Sequence, residues 1–197
     1  MVTIGDVENI ALLEQFGVNY IERPNEPLGA KHNAGLAAAV VGMDDATHFM
    51  VLPSDDLISP EWKDACVGYD YATVPSCAVL DPVNRQAKVL LARPGGRMKF
   101  GACRVFSRKV VEAVGGSLWG DHRVRALDMN SDGKVRAAGF ELKVANVRGP
   151  AFVDIKTQES LWGFDTWSGD PISFEDALWM CSERVRRGIS GLGIPTR

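Results

Sequence analysis

The stretch His48-Phe49-Met50-Val51-Leu52-Pro53-Ser54-Asp55-Asp56 decides how this chain is read. Residues 48–52 form a near-continuous apolar run, as expected of a strand covered on both faces, where neither side of the pleat meets water. Pro53 stops the run, and two adjacent carboxylates follow it. Upstream, Val2-Thr3-Ile4 reads as a strand stopped by Gly5-Asp6. Residues 7–16 carry Ile10, Leu12, Leu13 and Phe16 at helical spacing, with Gly17 placed to end the helix. Val18-Asn19-Tyr20-Ile21 is a second strand, Pro24-Asn25-Glu26-Pro27 a loop, and the alanine-rich residues 28–41 a closely packed helix. Alternation of this kind predicts a mostly parallel central sheet with helices on both sides. Ligands of such sheets bind beyond the carboxyl ends of the strands, which is where 53–56 would then lie.

Downstream of the acids, Ser59-Pro60-Glu61-Trp62 starts a helix, with serine at the cap, proline at the first position and an acid next. Residues 74–80 and 87–92 read as strands linked through Asp81-Pro82-Val83-Asn84. Arg93-Pro94-Gly95-Gly96-Arg97 is a turn-rich loop and a candidate mobile flap. A strand at 102–106 leads into a helix at 107–114. A helix is expected over 124–138, strands over 140–147 and 152–155, and one amphipathic helix over 174–187. With 197 residues the chain suffices for one well-buried core. The expectation is one domain over residues 1–190 and a tail over 191–197.

A net charge of -3 leaves no basic footprint for a long nucleic acid. Cys66, Cys77, Cys103 and Cys181 lack the paired spacing of a zinc site and read as reduced core residues, with disulfides as the alternative. The N-terminus shows no signal peptide, and no stretch reaches the ~18 to 20 apolar residues of a membrane span. Together these point to a cytoplasmic protein.

Two neighbouring carboxylates are costly to keep ionised together, and a divalent cation removes that cost. Oxygen ligands suit magnesium or manganese, and a nucleotide diphosphate would bring further oxygens to the same ion. A solvated Asp-Asp turn capping the next helix is the simpler alternative.

Pro27-Leu28-Gly29-Ala30-Lys31-His32-Asn33-Ala34-Gly35-Leu36, followed by 48–52 and Ser54-Asp55-Asp56, resembles the family 2 glycosyltransferases. Gly101-Ala102-Cys103-Arg104-Val105-Phe106-Ser107-Arg108 is similar to the loop that lines their sugar and acceptor site. Trp119 and Ala126-Leu127-Asp128 look like the region holding their catalytic base, and Val153-Asp154-Ile155-Lys156-Thr157 resembles a late strand of some members. The likeness spans most of residues 1–165. It implies a GT-A-like, Rossmann-type three-layer α/β/α sandwich. It also implies a nucleotide-sugar donor, a hydroxyl acceptor, a divalent metal (Mn or Mg) and inversion at the anomeric carbon.

Carried over residue by residue, Asp56 would bind metal, Asp55 metal or a sugar hydroxyl, and Asp128 would be the general base, with Asp121 and Asp132 as nearby rivals. Asp6, Lys31 and Asn33 would contact the donor, and His32 stands where many relatives have arginine. Asp6 as a turn residue, Asp128 as a helix cap and Lys31 as a solvated lysine are the plain alternatives. Trp119 and Trp162 are candidates for the acceptor or sugar, the latter within Trp162-Gly163-Phe164-Asp165-Thr166-Trp167; simple packing is the alternative. His122 reads as a surface residue.

The pattern departs from the family twice. Relatives carry a further strand and helix before the strand matched by residues 2–4, and its lack ahead of Met1 predicts a homo-oligomer or a partner chain completing the sheet. Many relatives also place a late histidine on the metal, whereas His32, His48 and His122 all come early; Asp154 is the acid left to take that role. Two other readings compete: a catalytically silent interaction module of the same fold, and a sugar nucleotidyltransferase. The latter lacks a glycine-rich basic loop before Gly29.

Overall fold

The structure, a computed structural model, describes residues 2–5, 10–53, 56–92, 100–156 and 163–194. Along the chain run β1 (Val2–Gly5), α1 (Ile10–Gln15), β2 (Asn19–Glu22), α2 (Leu28–Gly42) and β3 (His48–Met50). Next come β4 (Asp56–Ile58), α3 (Pro60–Cys66), β5 (Tyr71–Thr73), β6 (Ser76–Asp81) and β7 (Gln86–Leu91). β8 (Val105–Ser107), α4 (Arg108–Ala113), α5 (Leu127–Ala137), β9 (Lys143–Val144) and β10 (Phe152–Ile155) follow. A 3-10 turn (Phe164–Thr166), β11 (Asp170–Ser173), α6 (Phe174–Met180) and α7 (Glu183–Gly191) complete the order. The chain divides into two compact units: Met1–Met50 with Val105–Leu142, and Val51–Arg104 with Lys143–Arg197.

In the first unit β1 and β2 pair in parallel, Val2 opposite Asn19 and Gly5 opposite Glu22, and α2 packs beside β1. β3 runs antiparallel to β8, His48 opposite Ser107. The same Ser107 caps α4, its hydroxyl accepting from the Val110 amide at 3.3 Å. The core of this unit includes Phe49, Phe106, Val110, Leu118, Trp119 and Val135, all buried.

The second unit is built on a five-stranded sheet in the order β11-β7-β6-β10-β4. Only β6 and β10 pair in parallel; β4–β10, β6–β7 and β7–β11 are antiparallel. One face carries Ala78, Leu80, Ala87, Val153 and Ile155 against Phe174, Ala177, Leu178, Val185 and Ile189 from α6 and α7. Burial of that apolar face, where each full side chain contributes roughly 1.5–3 kcal/mol, holds the two helices on the sheet. β5 and β9 form a further parallel pair, Ala72 opposite Lys143.

The expected mostly parallel, Rossmann-type GT-A-like sandwich is therefore not what the chain forms. The first β-α-β stretch does give a parallel pair, but the sheets are mixed and largely antiparallel. The physical reason lies in the connections. Four residues, 82–85, separate β6 from β7, too few for the crossover of a dozen or more residues that parallel strands need, so the chain reverses as a hairpin. The acidic motif moves with this correction. β3 ends at Met50, and Asp56 opens a separate strand, β4, at one edge of the second unit's sheet.

Other boundaries shift in smaller ways. The single helix expected over 174–187 is two, because Cys181 is extended and Ser182 caps a new helix by accepting from the Val185 amide at 3.4 Å. The strand expected over 140–147 shortens to Lys143–Val144.

Candidate functional site

β10 reads Phe-Val-Asp-Ile, and its alternation sends Val153 and Ile155 into the apolar core. Phe152 and Asp154 therefore point to the opposite face. Asp154 is 5% exposed and Lys156, just past the strand, 8%. Charges at this depth need partners, and they have each other: Lys156 Nζ lies 2.6 Å from Asp154 Oδ2. The ammonium also sits 5.3 Å from the centre of the Trp167 ring.

Register places a second carboxylate beside this pair. Asp56 stands directly opposite Asp154 across the antiparallel β4–β10 ladder, so both acids belong to the same face. The row continues across the sheet, with Asp154 beside Val79 and Val79 opposite Lys88. Lys88 Nζ donates to the carbonyls of Phe164 (3.1 Å) and Trp167 (2.9 Å) and lies 4.4 Å over the Phe164 ring. Two lysines thus anchor the aromatic 163–167 turn at this row. Burial raises the Cys77 thiol pKa well above the ordinary value, and the negative fields of Asp154 and Asp56 push it further. Burial, then Asp56, raises Cys103 in the same way.

Like charges directly opposite one another across two strands repel, and two lysines, Lys88 and Lys156, stand in or beside the same row. Among the described residues no group of three or more His, Cys, Asp or Glu could enclose a metal ion. Two carboxylates do fit magnesium or manganese held mainly by diphosphate oxygens and water, which is how these ions are commonly bound beside nucleotides.

Most other residues singled out from the sequence lie in the first unit. The Lys31 ammonium donates to Asn25 Oδ1 at 2.7 Å. Asn33 Nδ2 donates to the Trp119 carbonyl and to Asp121 Oδ1, each at 2.7 Å, and its Oδ1 accepts from the Trp119 amide at 3.2 Å. Both ends of this amide are thus engaged in holding the 119–121 segment to α2. Asn33→Ala is expected to lower the stability of this unit by ~1–3 kcal/mol, because it strands partly buried donors and acceptors; a shift of the urea midpoint checks it.

Trp119, 4% exposed, packs edge-on against His32 (5.1 Å) and Phe106 (6.1 Å) as a core aromatic. Asp128 stands in the first turn of α5, where a carboxylate complements the helix dipole. Asp132 is tied to Arg136 at 2.9 Å, and His122 is exposed. Asp6, Asp55 and Trp162 lie outside the described residues.

His32 is half-buried, and its Nδ1 has no hydrogen-bond partner among the described residues. Burial first, then the neighbouring Lys31 charge, lowers its pKa from the ordinary 6.5. The sign follows directly. Below 6.5 the unfolded chain takes up a proton that the folded chain resists, so stability falls as pH drops from 6.5 to the folded pKa. The loss cannot exceed ~1.4 kcal/mol per pH unit for one group. Urea midpoints followed between neutral and mildly acidic pH are expected to show this slope in the wild type. The slope is expected to vanish in His32→Phe, which keeps the ring contact with Trp119.

The sequence reading missed Lys88 and Lys156. The signal was present in Val153-Asp154-Ile155-Lys156, where charges alternate with β-branched core residues at strand period. All four cysteines are buried and none is paired; burial pushes the Cys181 thiol up to about 11. Among the described residues no helix is long and apolar enough to cross a membrane. The chain matches no protein-family model, and a search of curated proteins found no match.

Proposed function

We propose that the chain transfers a sugar from a nucleotide-diphosphate donor to a hydroxyl acceptor with a divalent metal, Mn or Mg, at Asp56 and Asp154. The observation that carries this reading is the placement of Asp56 opposite Asp154 on one sheet face. Asp154 is the acid that the sequence offered in place of the late histidine. Asp56 and Asp154 would hold the ion against the diphosphate, and Asp55 belongs to the same reading on the resemblance alone. The ion, when bound, offsets negative charge that develops on the departing diphosphate.

In the transfer, the acceptor oxygen bonds to the anomeric carbon on the face opposite the leaving group. The bond to the diphosphate breaks with its electron pair, and the hydroxyl proton passes to a carboxylate within hydrogen-bond reach. The resemblance names Asp128 for that proton, but Asp128 belongs to the first unit and the Asp56–Asp154 pair to the second, so the carboxylate that takes it is left unassigned.

The test is metal-dependent release of nucleoside diphosphate from a panel of nucleotide sugars, with and without hydroxyl acceptors. Release requiring Mn2+ and strongly reduced in a folded Asp56→Ala supports the assignment. No release from any donor removes the transferase reading. It would leave a catalytically silent interaction module, which the internal engagement of Asn33 and Lys31 favours.

A further inference from the structure

We propose that a groove along α5 binds an apolar carboxylate, its chain lying on the helix and its head on Arg123. The groove belongs to the first unit and the Asp56–Asp154 face to the second, so this inference goes beyond the transfer reading and does not rest on it. Helix periodicity gives α5 two different faces. Ser131 and Val135 are buried and turn toward the core. Ala126, Met129, Gly133 and Ala137 recur at steps of three and four on the other side, where Met129 is 73% exposed. These four floor a groove of about 540 Å³, within the ~300–1,000 Å³ of small-molecule sites. Arg123, Asn130 and Lys134 complete its lining, so every charged group in that lining is a cation.

The three polar groups differ in what they have left to donate. Lys134 Nζ donates to the carbonyls of Ser117 (3.1 Å) and Trp119 (3.2 Å), both neutral acceptors, so its charge is retained. Asn130 Oδ1 accepts from the Gly120 amide at 2.6 Å, which leaves its side-chain N–H groups to donate. Arg123 is fixed by its backbone: its amide donates to the Gly120 carbonyl at 2.9 Å, and its carbonyl accepts from the Gly29 amide at 2.8 Å. Its guanidinium has no hydrogen bond or ion pair among the described residues. The acids of α5 fall outside the groove: Asp132 is tied to Arg136 at 2.9 Å, and Asp128 is on the side of Ser131 and Val135. Charge complementarity therefore selects the ligand. A planar carboxylate matches the two parallel N–H donors of an arginine fork, one negative charge for one free positive charge. An apolar chain behind that head takes the groove floor out of water.

The experiment is calorimetric titration of octanoate into the full chain, with acetate as the head alone and octanol as the chain alone. Octanoate is expected to bind about tenfold or more tightly than either. Arg123→Gln keeps the Cβ and Cγ that lie beside Gly29 and Gly120. It is expected to weaken octanoate by about tenfold and to leave octanol unchanged. Gly133→Leu is expected to fill the groove and abolish octanoate binding. A Cβ at Gly133 meets nothing within 4 Å, and leucine is the better helix former, so a cooperative melt is expected to persist. Arg136→Gln removes a cation outside the groove lining and is expected to bind octanoate like wild type. Wild-type affinity for octanoate in a cooperatively melting Gly133→Leu overturns the proposal. Equal weakening in Arg123→Gln and Arg136→Gln also overturns it, because it would mark attraction to net charge alone; this comparison decides the matter if Gly133→Leu does not fold. Acetate or octanol binding as tightly as octanoate, or no octanoate binding by wild type, overturns it as well.

Discussion

Asp154→Ala is expected to destabilise the protein by about 3–5 kcal/mol, the usual cost of stranding one member of a buried ion pair. The pair is deep: Asp154 and Lys156 side chains are 7% and 8% exposed, and their contact is 2.6 Å. Removing the carboxylate leaves an ammonium facing an aromatic ring and little water. The prediction has a second arm. Replacing both residues, as in Asp154→Leu with Lys156→Met, is expected to recover most of the loss, because a matched apolar pair avoids the desolvation penalty of both charges. Urea denaturation of the two single variants and the double one gives the coupling directly. Losses that simply add would show that the two charges do not depend on each other.

Gly29→Ala is expected to cost ~3 kcal/mol, at the upper end of what overpacking does. A Cβ at this position would come within 2.9 Å of the Gly120 carbonyl carbon and closer still to its oxygen. Both atoms are backbone and cannot swing aside. The approach is tight for a reason: the Gly29 amide donates to the Arg123 carbonyl at 2.8 Å, and one turn later Asn33 brackets Trp119 and Asp121. Gly29 and Asn33, four residues apart on one helix face, form a single dock for the 119–123 segment. The thermal midpoint of Gly29→Ala against wild type measures the effect. A change within error would mean that the segment can draw back without loss.

That dock shows what the sequence could and could not tell. Gly29, Asn33 and the helix that carries them were legible, because an alanine-rich run after two prolines has few other outcomes. Their purpose was not, since a glycine and an asparagine on a helix face serve a backbone contact as well as a phosphate. The core strands were legible too, Phe152–Ile155 without error, because apolar period-two segments can only be buried strands. Pairing direction was misread. The β-α-β opening suggested crossovers throughout, whereas the short link after Asp81 carried the contrary information and dictated a hairpin.

The acid motif was read as the end of a buried parallel strand, and its geometry is different. Asp56 belongs to an edge strand, and its partner, Asp154, lies far along the chain, where only register brings the two together. No local pattern encodes that pairing. Lys156 was hidden for the same reason: a buried lysine is unremarkable in sequence and becomes informative only beside the carboxylate that holds it.

The most direct test of the Asp56–Asp154 site is calorimetric titration of nucleoside diphosphates, with and without Mn2+, into wild type and Asp56→Ala. A cooperative melt of Asp56→Ala establishes it as a folded control. Binding to wild type is expected only when Mn2+ is present, and Asp56→Ala is expected to weaken it by about tenfold or more, ~1.4 kcal/mol at the least. Equal binding by the two proteins, or none by wild type with Mn2+ present, would contradict the account.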